Sequence, residues 1–249
     1  MLDAIHYLSF TKSVLNNPDS QNICHGENYF VIDGNFERDG KEHSVRCHFD
    51  GKKKKLTEDE QECIRFSDHI GRYPVVIIIP QDITLIWEAG EGRRRFFDQW
   101  LSQINKQYLE NLITYNHQLK QRNGLLRQAQ GQASVDLDLI ESYNEKLSVH
   151  SEFIHAQRVK FISDMNPEFQ KVYSSLCNSE EFVEMIYRSH LDGASIKKML
   201  EENLEREVMA GRTLFGIHLD EYQFLLNGHE VRKTGSQGQQ KSFLMSLKM

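Results

Sequence analysis

The chain has 249 residues, 39% of them apolar with 14 Phe and 9 Tyr, enough to fill one large domain or two smaller ones. Its formal net charge of −6 excludes a chain devoted as a whole to nucleic acid, but not a local basic face. Cys24, Cys47, Cys63 and Cys177 make no CxxC pair and no typical Cys/His zinc spacing, no run is long enough to cross a membrane, and Met1 is not followed by a basic-then-apolar signal. Reduced thiols in a cytoplasmic protein are the expectation.

Leu2, Ile5 and Leu8 recur at three-residue intervals and predict a short helical face. A helix beginning at the first residue of a large domain suggests a missing upstream part. Residues 11–25 are polar and read as loop. Tyr29–Phe36 reads as strand, Arg38-Asp39-Gly40-Lys41 as a hairpin turn, and His43–Phe49 as a strand with Val45, Cys47 and Phe49 on one side. Asp50-Gly51 marks the next turn. The run Lys52, Lys53, Lys54, Lys55 is either a solvated hairpin tip or a phosphate-backbone contact.

Tyr73–Pro80 is the strongest strand signal, a continuous β-branched run expected to lie buried on both faces at the centre of a sheet. Gln81 and Asp82 then sit at its C-terminal edge, as ligand-facing groups or as a plain polar loop. Arg93, Arg94 and Arg95 follow two glycines; they suit a phosphate or carboxylate partner, or a helix start held by salt bridges.

Leu101, Ile104, Tyr108, Leu112, Tyr115 and Leu119 form one helical stripe. A break is expected over Gln128–Ser134. Ile140, Leu147, Ile154 and Phe161 recur every seven residues and predict a second long helix beside the first. Asn166-Pro167 is expected to start a new segment. Phe182–Tyr187 reads as strand, Ala194–Met209 as helix, and Tyr222–Leu226 with Asn227-Gly228 as a hairpin returning through Glu230–Arg232. The last stretch, Gly235-Ser236-Gln237-Gly238-Gln239-Gln240-Lys241-Ser242, opens into an apolar run. Ser236 is a helix cap, or the amides there bind an anion such as phosphate.

These segments, in this order, resemble the RecF family of recombination and repair ATPases, whose ATP-binding-cassette head is related to SMC heads. Leu2–Leu8 resembles the helix after that family's P-loop. Pro80-Gln81-Asp82 and Gly90–Asp98 resemble its link from core strand to helical lobe, and Tyr115–Leu126 its first lobe helix. Gly216-Ile217-His218-Leu219-Asp220-Glu221 resembles a Gly-Pro-His-Arg-Asp-Asp block, with Ile217 in place of proline and Leu219 in place of a basic residue. Gly235–Ser242 resembles the cassette signature.

The resemblance implies an α/β fold: an ATP-binding-cassette (P-loop NTPase, RecF/SMC-like) head with an inserted helical lobe, truncated at both ends. Residues 1–98 would be partial ATPase lobe I, 99–210 helical lobe II, and 211–249 the return to lobe I with the signature. It implies ATP and Mg²⁺ as cofactors of the intact protein or across a dimer. Ser236, Gly238 and Gln239 would contact ATP held by a partner copy, and Gln81 would be the catalytic Q-loop residue near Mg²⁺. Implied partners are duplex or gapped DNA, or single-stranded DNA, an ATP-dependent homodimer, and RecO/RecR-type repair proteins, within replication, DNA damage repair and the SOS response. Lys52–Lys55 and Arg93–Arg95 would be DNA contacts. No Gly-Lys-Thr/Ser loop and no Walker B acidic pair occur in the 249 residues. The intact member would be a weak DNA-dependent ATPase, and this chain alone inactive. An SMC-like head with a long coiled coil, disfavoured by the modest insertion between Asp98 and Gly211, and a non-enzymatic helical interaction protein are the alternatives.

Overall fold

Two antiparallel sheets organise the described residues, 1–16, 18–88, 90–130, 136–178 and 180–249, of this computed structural model. The chain divides into two compact units, residues 1–77 with 102–106, and residues 78–101 with 107–249.

In the first unit, α1 (Leu2–Phe10) precedes β1 (Phe30–Arg38), β2 (Lys41–Phe49), β3 (Lys54–Glu58) and β4 (Gln61–Glu62), which pair in sequence order. Asp39 and Gly40 take φ of 54° and 72°, the left-handed pair that closes the hairpin foreseen at Arg38–Lys41. Val45 and Cys47 point inward as the alternation predicts, and pack with Leu56, Tyr73, Tyr7 and Leu8. The inward face of α1 is not the expected Leu2–Ile5–Leu8 row. Leu2 and Ile5 are exposed, and His6–Phe10 are buried. Only the end of the helix meets the sheet, where Gly34 of β1 admits Leu8: a Cβ at Gly34 would lie 2.6 Å from Leu8 Cδ1.

The expected core strand at Tyr73–Pro80 is not one. Residues 74–79 run without assigned secondary structure, neither sheet takes them up, and Val76 and Ile78 are 50% and 46% exposed. Branching at Cβ favours an extended backbone but supplies no ladder partner, and burial on both faces needs neighbours on both sides.

The second unit contains α2 (Thr84–Trp87), α3 (Glu91–Ile104), α4 (Lys106–Ala129), α5 (Leu137–Cys177), β5 (Val183–Arg188), α6 (Ile196–Glu202), α7 (Leu204–Ala210), β6 (Glu221–Leu226), β7 (His229–Glu230), α8 (Val231–Thr234) and α9 (Gln237–Lys248), apart from the 102–106 segment. Its sheet runs β5-β6-β7, and Asn227 and Gly228 close the second hairpin with φ of 50° and 78°. Leu147 and Ile154 are buried with Leu101, Tyr108 and Tyr115, and Ile140 is buried one heptad earlier, so the seven-residue stripe is the core face of α5. α4 ends at Ala129, and residues 131–134 of the expected break lie outside the described residues. The helix expected over Ala194–Met209 is interrupted at Asn203, whose side chain donates to the Met199 carbonyl. Among the described residues no helix is long and apolar enough to cross a membrane.

Pro167 does not begin a segment; α5 runs through it for 41 residues. An interior proline costs a helix about 3 kcal/mol or more. Contacts on both sides of it offset that cost. Phe169 and Tyr173 enter the core. Asn166 donates to and accepts from the Met185 backbone, at 2.9 Å each way. Gln170 donates to the Glu181 carbonyl at 3.0 Å and accepts from the Val183 amide at 2.7 Å. Two side-chain amides thus occupy the open edge of β5.

Candidate functional site

The hairpin β6–β7 and α8 deliver the chain to Gly235, where a Cβ would meet the Val231 carbonyl oxygen at 2.7 Å. Ser236 is the N-cap of α9. Its Oγ accepts from Gln239 N at 3.2 Å, and Gln239 Oε1 accepts from Ser236 N at 2.7 Å. This reciprocal box is what Ser-x-x-Gln encodes. The Gln239 side chain is thereby committed within the chain, and its Nε2 also donates to Glu181. It shapes the loop, whereas Ser236, Gln237 and Gly238 are exposed. A Cβ at Gly238 would meet only Ser236 Oγ, at 3.9 Å, so the backbone is open to close approach. No acidic side chain lies in the first turn of α9. Exposed amides at a helix start suit a phosphate oxygen, and the Glu181 carboxylate beside them is engaged by Gln239 Nε2.

The opposite end of α9 is buried. Lys248 is 8% exposed and its Nζ lies 2.6 Å from Asp82 Oδ2. Burial pushes the Lys248 ammonium below its usual range, and Asp82 opposes the shift. Asp82 also accepts from Ile79 N at 2.6 Å, capping the 3-10 turn Pro80–Ile83 on which Gln81 stands exposed. Ser236 and Gln81 are therefore not brought together. They belong to opposite ends of a 12-residue helix, about 18 Å of axial rise.

The arginine run is mostly structural. Arg93 is buried and donates to the carbonyls of Leu85, Ile86 and Tyr222, with its guanidinium 4.2 Å from the Phe224 ring centroid. Burial lowers its pKa to about 10. Arg94 donates to the Asp220 carbonyl at 2.7 Å. Arg95 is exposed and pairs with Glu91 one turn earlier. In the first unit the lysine run divides likewise. Lys54 is held by Asp19 at 2.7 Å with its side chain 11% exposed, and Lys55 pairs with Glu62. Lys52 and Lys53 remain exposed beyond the Asp50-Gly51 turn. A phosphate contact is thus unsuited to Arg93 and Lys54, whose positive ends are engaged inside the fold.

A buried polar network connects the segments around this site, and sequence reasoning missed it. Arg158 of α5 donates to Asp220 at 2.7 Å, to the Ile217 carbonyl at 2.9 Å, to Asp98 at 2.8 Å and to Tyr108 at 3.0 Å. Tyr187 donates to the same Oδ2 of Asp220 that Arg158 meets, and Ser189 to Oδ1. Burial raises the Asp220 pKa, against the pull of Arg158. Gly216 has a φ of 131°, and a Cβ there would lie 2.7 Å from the Tyr115 hydroxyl. That hydroxyl lies 2.6 Å from His218 Nδ1. Ile217 fills the core where the resembled block has proline, and Leu219 is exposed. Asp220, rather than Glu221, is the engaged acid. The signal was present: Asn144, Ser151 and Arg158 form a second, polar seven-residue row, each four residues after a member of the apolar row. Arg122 and Asn123 of α4 are committed similarly. Arg122 pairs with Glu207 at 2.6 Å, both fully buried, and Asn123 Oδ1 accepts from Thr213 N at 2.7 Å.

No protein-family model matches the chain. Over its whole length it is 38% identical to the DNA replication and repair protein RecF of Cytophaga hutchinsonii, of which it spans 66%. It is 39% identical to the RecF of Flavobacterium johnsoniae, spanning 70%, and 40% identical to that of Bacteroides thetaiotaomicron, spanning 67%. The chain therefore covers about two thirds of the length of these curated relatives. Two solved structures of the recombination mediator protein RecF in the RecFOR pathway, RecF-ATP and RecF-ATPrS, superpose on 99% of the chain with TM-scores of 0.91 and 0.90, at 26% identity and over 69% of their own chains.

Proposed function

The chain belongs to the RecF family of DNA replication and repair proteins and has its mixed α/β ABC-ATPase-like fold, and on that premise we propose that it supplies the trans-acting half of an ATP-gated, DNA-binding dimer. The observation that carries the reading is the start of α9. Ser236 and the two residues after it are exposed and uncrowded, no acidic residue of α9 lies in its first turn, and they stand a helix length away from Gln81. One nucleotide cannot engage both within a single copy; two copies facing each other can.

On this reading residues 1–98 and 211–249 serve the ATPase lobe and residues 99–210 the helical lobe. Ser236 Oγ and the Gln237 and Gly238 amides hold the terminal phosphate of ATP bound by the second copy, with Gln239 positioning the loop. Gln81, on its capped turn, serves the nucleotide of its own copy, beside Mg²⁺. Bound there, ATP and its metal supply the charge that these donors stabilise. The 249 residues alone turn over no ATP, because no Gly-Lys-Thr/Ser loop is among them. Closure of two copies favours duplex or gapped DNA recognised mainly through phosphates, with exposed Lys52 and Lys53 of the first unit, and separately Arg95 of the second, as the candidate contacts. Handover to RecO/RecR-type partners in the cytoplasm completes the reading, which the RecFOR-pathway relatives support.

Ser236→Arg tests it. The residue is exposed, so the monomer should lose no more than about 1 kcal/mol from the cap. The intact gene product, tested with its nucleotide-holding loop present, should lose ATP-dependent dimerisation, read by light scattering, and ATP-dependent retention of gapped DNA. If both persist, the start of α9 is only a helix cap and a helical scaffold becomes the better account.

A further inference from the structure

A buried polar triad in the first unit has no part in that reading. Glu58 ends β3, Cys63 follows β4, and His69 follows the 3-10 turn Phe66–Asp68. A carboxylate oxygen, the thiol sulfur and an imidazole nitrogen from these three lie within 4.8 Å of one another. Glu58 and His69 are 7% and 0% exposed.

The hydrogen-bond pattern around them is unbalanced. His69 Nε2 lies 2.6 Å from the Leu8 carbonyl, which can only accept, so the ring proton sits on Nε2. Nδ1 then presents its lone pair toward Glu58 Oε2, 3.5 Å away. Neither Nδ1 nor Oε2 has a hydrogen-bond partner, although both are buried. Two acceptors thus face each other in the interior. Their spacing is long for a charged hydrogen bond of about 2.7–2.9 Å. It fits the edge of a tetrahedron built on metal–ligand bonds of about 2.1 Å, which is about 3.4 Å.

We propose that Glu58 Oε2, Cys63 Sγ and His69 Nδ1 bind one Zn²⁺ ion, with water as the fourth ligand on the side where Cys63 reaches solvent.

The groups behind the ligands are those a metal site needs. The Leu8 carbonyl fixes the histidine tautomer and ring plane, and Tyr73 donates to Glu58 Oε1 at 2.8 Å, leaving Oε2 to the ion. His43 clusters with Glu58 and Asp59 rather than with Cys63 and His69, so it is not counted as the fourth ligand. Burial, reinforced by Glu58, raises the Cys63 thiol, which releases its proton to solvent as the metal enters. Arg72 competes. Its Nη1 lies 2.9 Å from Glu58 Oε2, outside hydrogen-bonding geometry, but the side chain is 42% exposed and can turn outward. The ion would fasten the β3–β4 hairpin to the turn that carries His69, a connection no sequence spacing announces because Glu58 is not a Cys or His.

The test is metal uptake by the purified protein. Stripped of metal, dialysed against Zn²⁺ and measured by elemental mass spectrometry, it should hold one equivalent. Co²⁺ in place of Zn²⁺ should give a thiolate charge-transfer band that Cys63→Ser abolishes. Zn²⁺ affinity should fall by about 10- to 100-fold in Tyr73→Phe, the usual loss when a ligand's outer partner is removed, and further in Cys63→Ser. Arg72→Gln leaves every ligand in place and should tighten binding. Absence of uptake by the folded protein, uptake unchanged in Cys63→Ser, or weaker binding in Arg72→Gln would each overturn the proposal.

Discussion

The burial of His218 makes the second unit sensitive to mild acid. Burial is the main reason that the His218 pKa is pushed down from 6.5 to about 4, with Arg94, His190 and Arg122 adding repulsion. The unfolded chain therefore takes up its proton first. The stability gained by keeping His218 neutral is complete above pH 6.5 and drains away as pH falls toward 4. At pH 5 the unfolded imidazole is mostly charged and the folded one mostly neutral, which costs about 2 kcal/mol by linkage. Both tryptophans, Trp87 and Trp100, lie in this unit, so their fluorescence reports its unfolding in urea. Between pH 7 and 5 the native protein should lose about 2 kcal/mol more than His218→Gln. Parallel losses in the two proteins would show that the imidazole is not held neutral, and the account of a buried, neutral His218 would fail.

Two more changes probe the interior. Arg158→Met leaves the Asp98 and Asp220 carboxylates without their shared partner, and should destabilise the second unit by about 3–5 kcal/mol in the same urea assay. Replacing Asp220 by Asn in that background should restore part of the loss. Asn166→Leu and Gln170→Leu uncover the β5 edge; each should cost about 1–3 kcal/mol, with hydrogen exchange speeding at the Met185 and Val183 amides respectively.

What the sequence revealed was local chemistry. Asp39-Gly40 and Asn227-Gly228 announced their hairpins because only a few residue types accept that backbone. Ser236 announced a helix start because its hydroxyl can accept from a free backbone amide. The apolar row from Ile140 to Phe161 announced a long helix face. What stayed hidden depended on distant partners. Tyr73–Pro80 has strand composition but joins neither described sheet. Pro167 looks like a boundary until Asn166 and Gln170 are seen gripping β5. Arg93 looks like a surface cation until three carbonyls close around it. The polar row through Asn144, Ser151 and Arg158 was visible as spacing, but its meaning lay in Asp98 and Asp220, one far upstream and one far downstream.

The grip of α5 on β5 has a metric side. Asn166 and Gln170 are four residues apart on a helix, about 6 Å of rise. The amides they meet, Val183 and Met185, are two residues apart on a strand, about 6.8 Å. The two spacings are nearly commensurate, so helix and strand act as matched scales with one good alignment. A slip of one residue would set both amides opposite residues such as Glu184, whose backbone groups turn toward β6. Because β5 pairs with β6 through Tyr187–Tyr222 and Arg188–Glu221, that alignment also fixes where Tyr187 meets Asp220. A ruler on a helix thus sets the position of an acid that belongs to neither the helix nor the strand it measures.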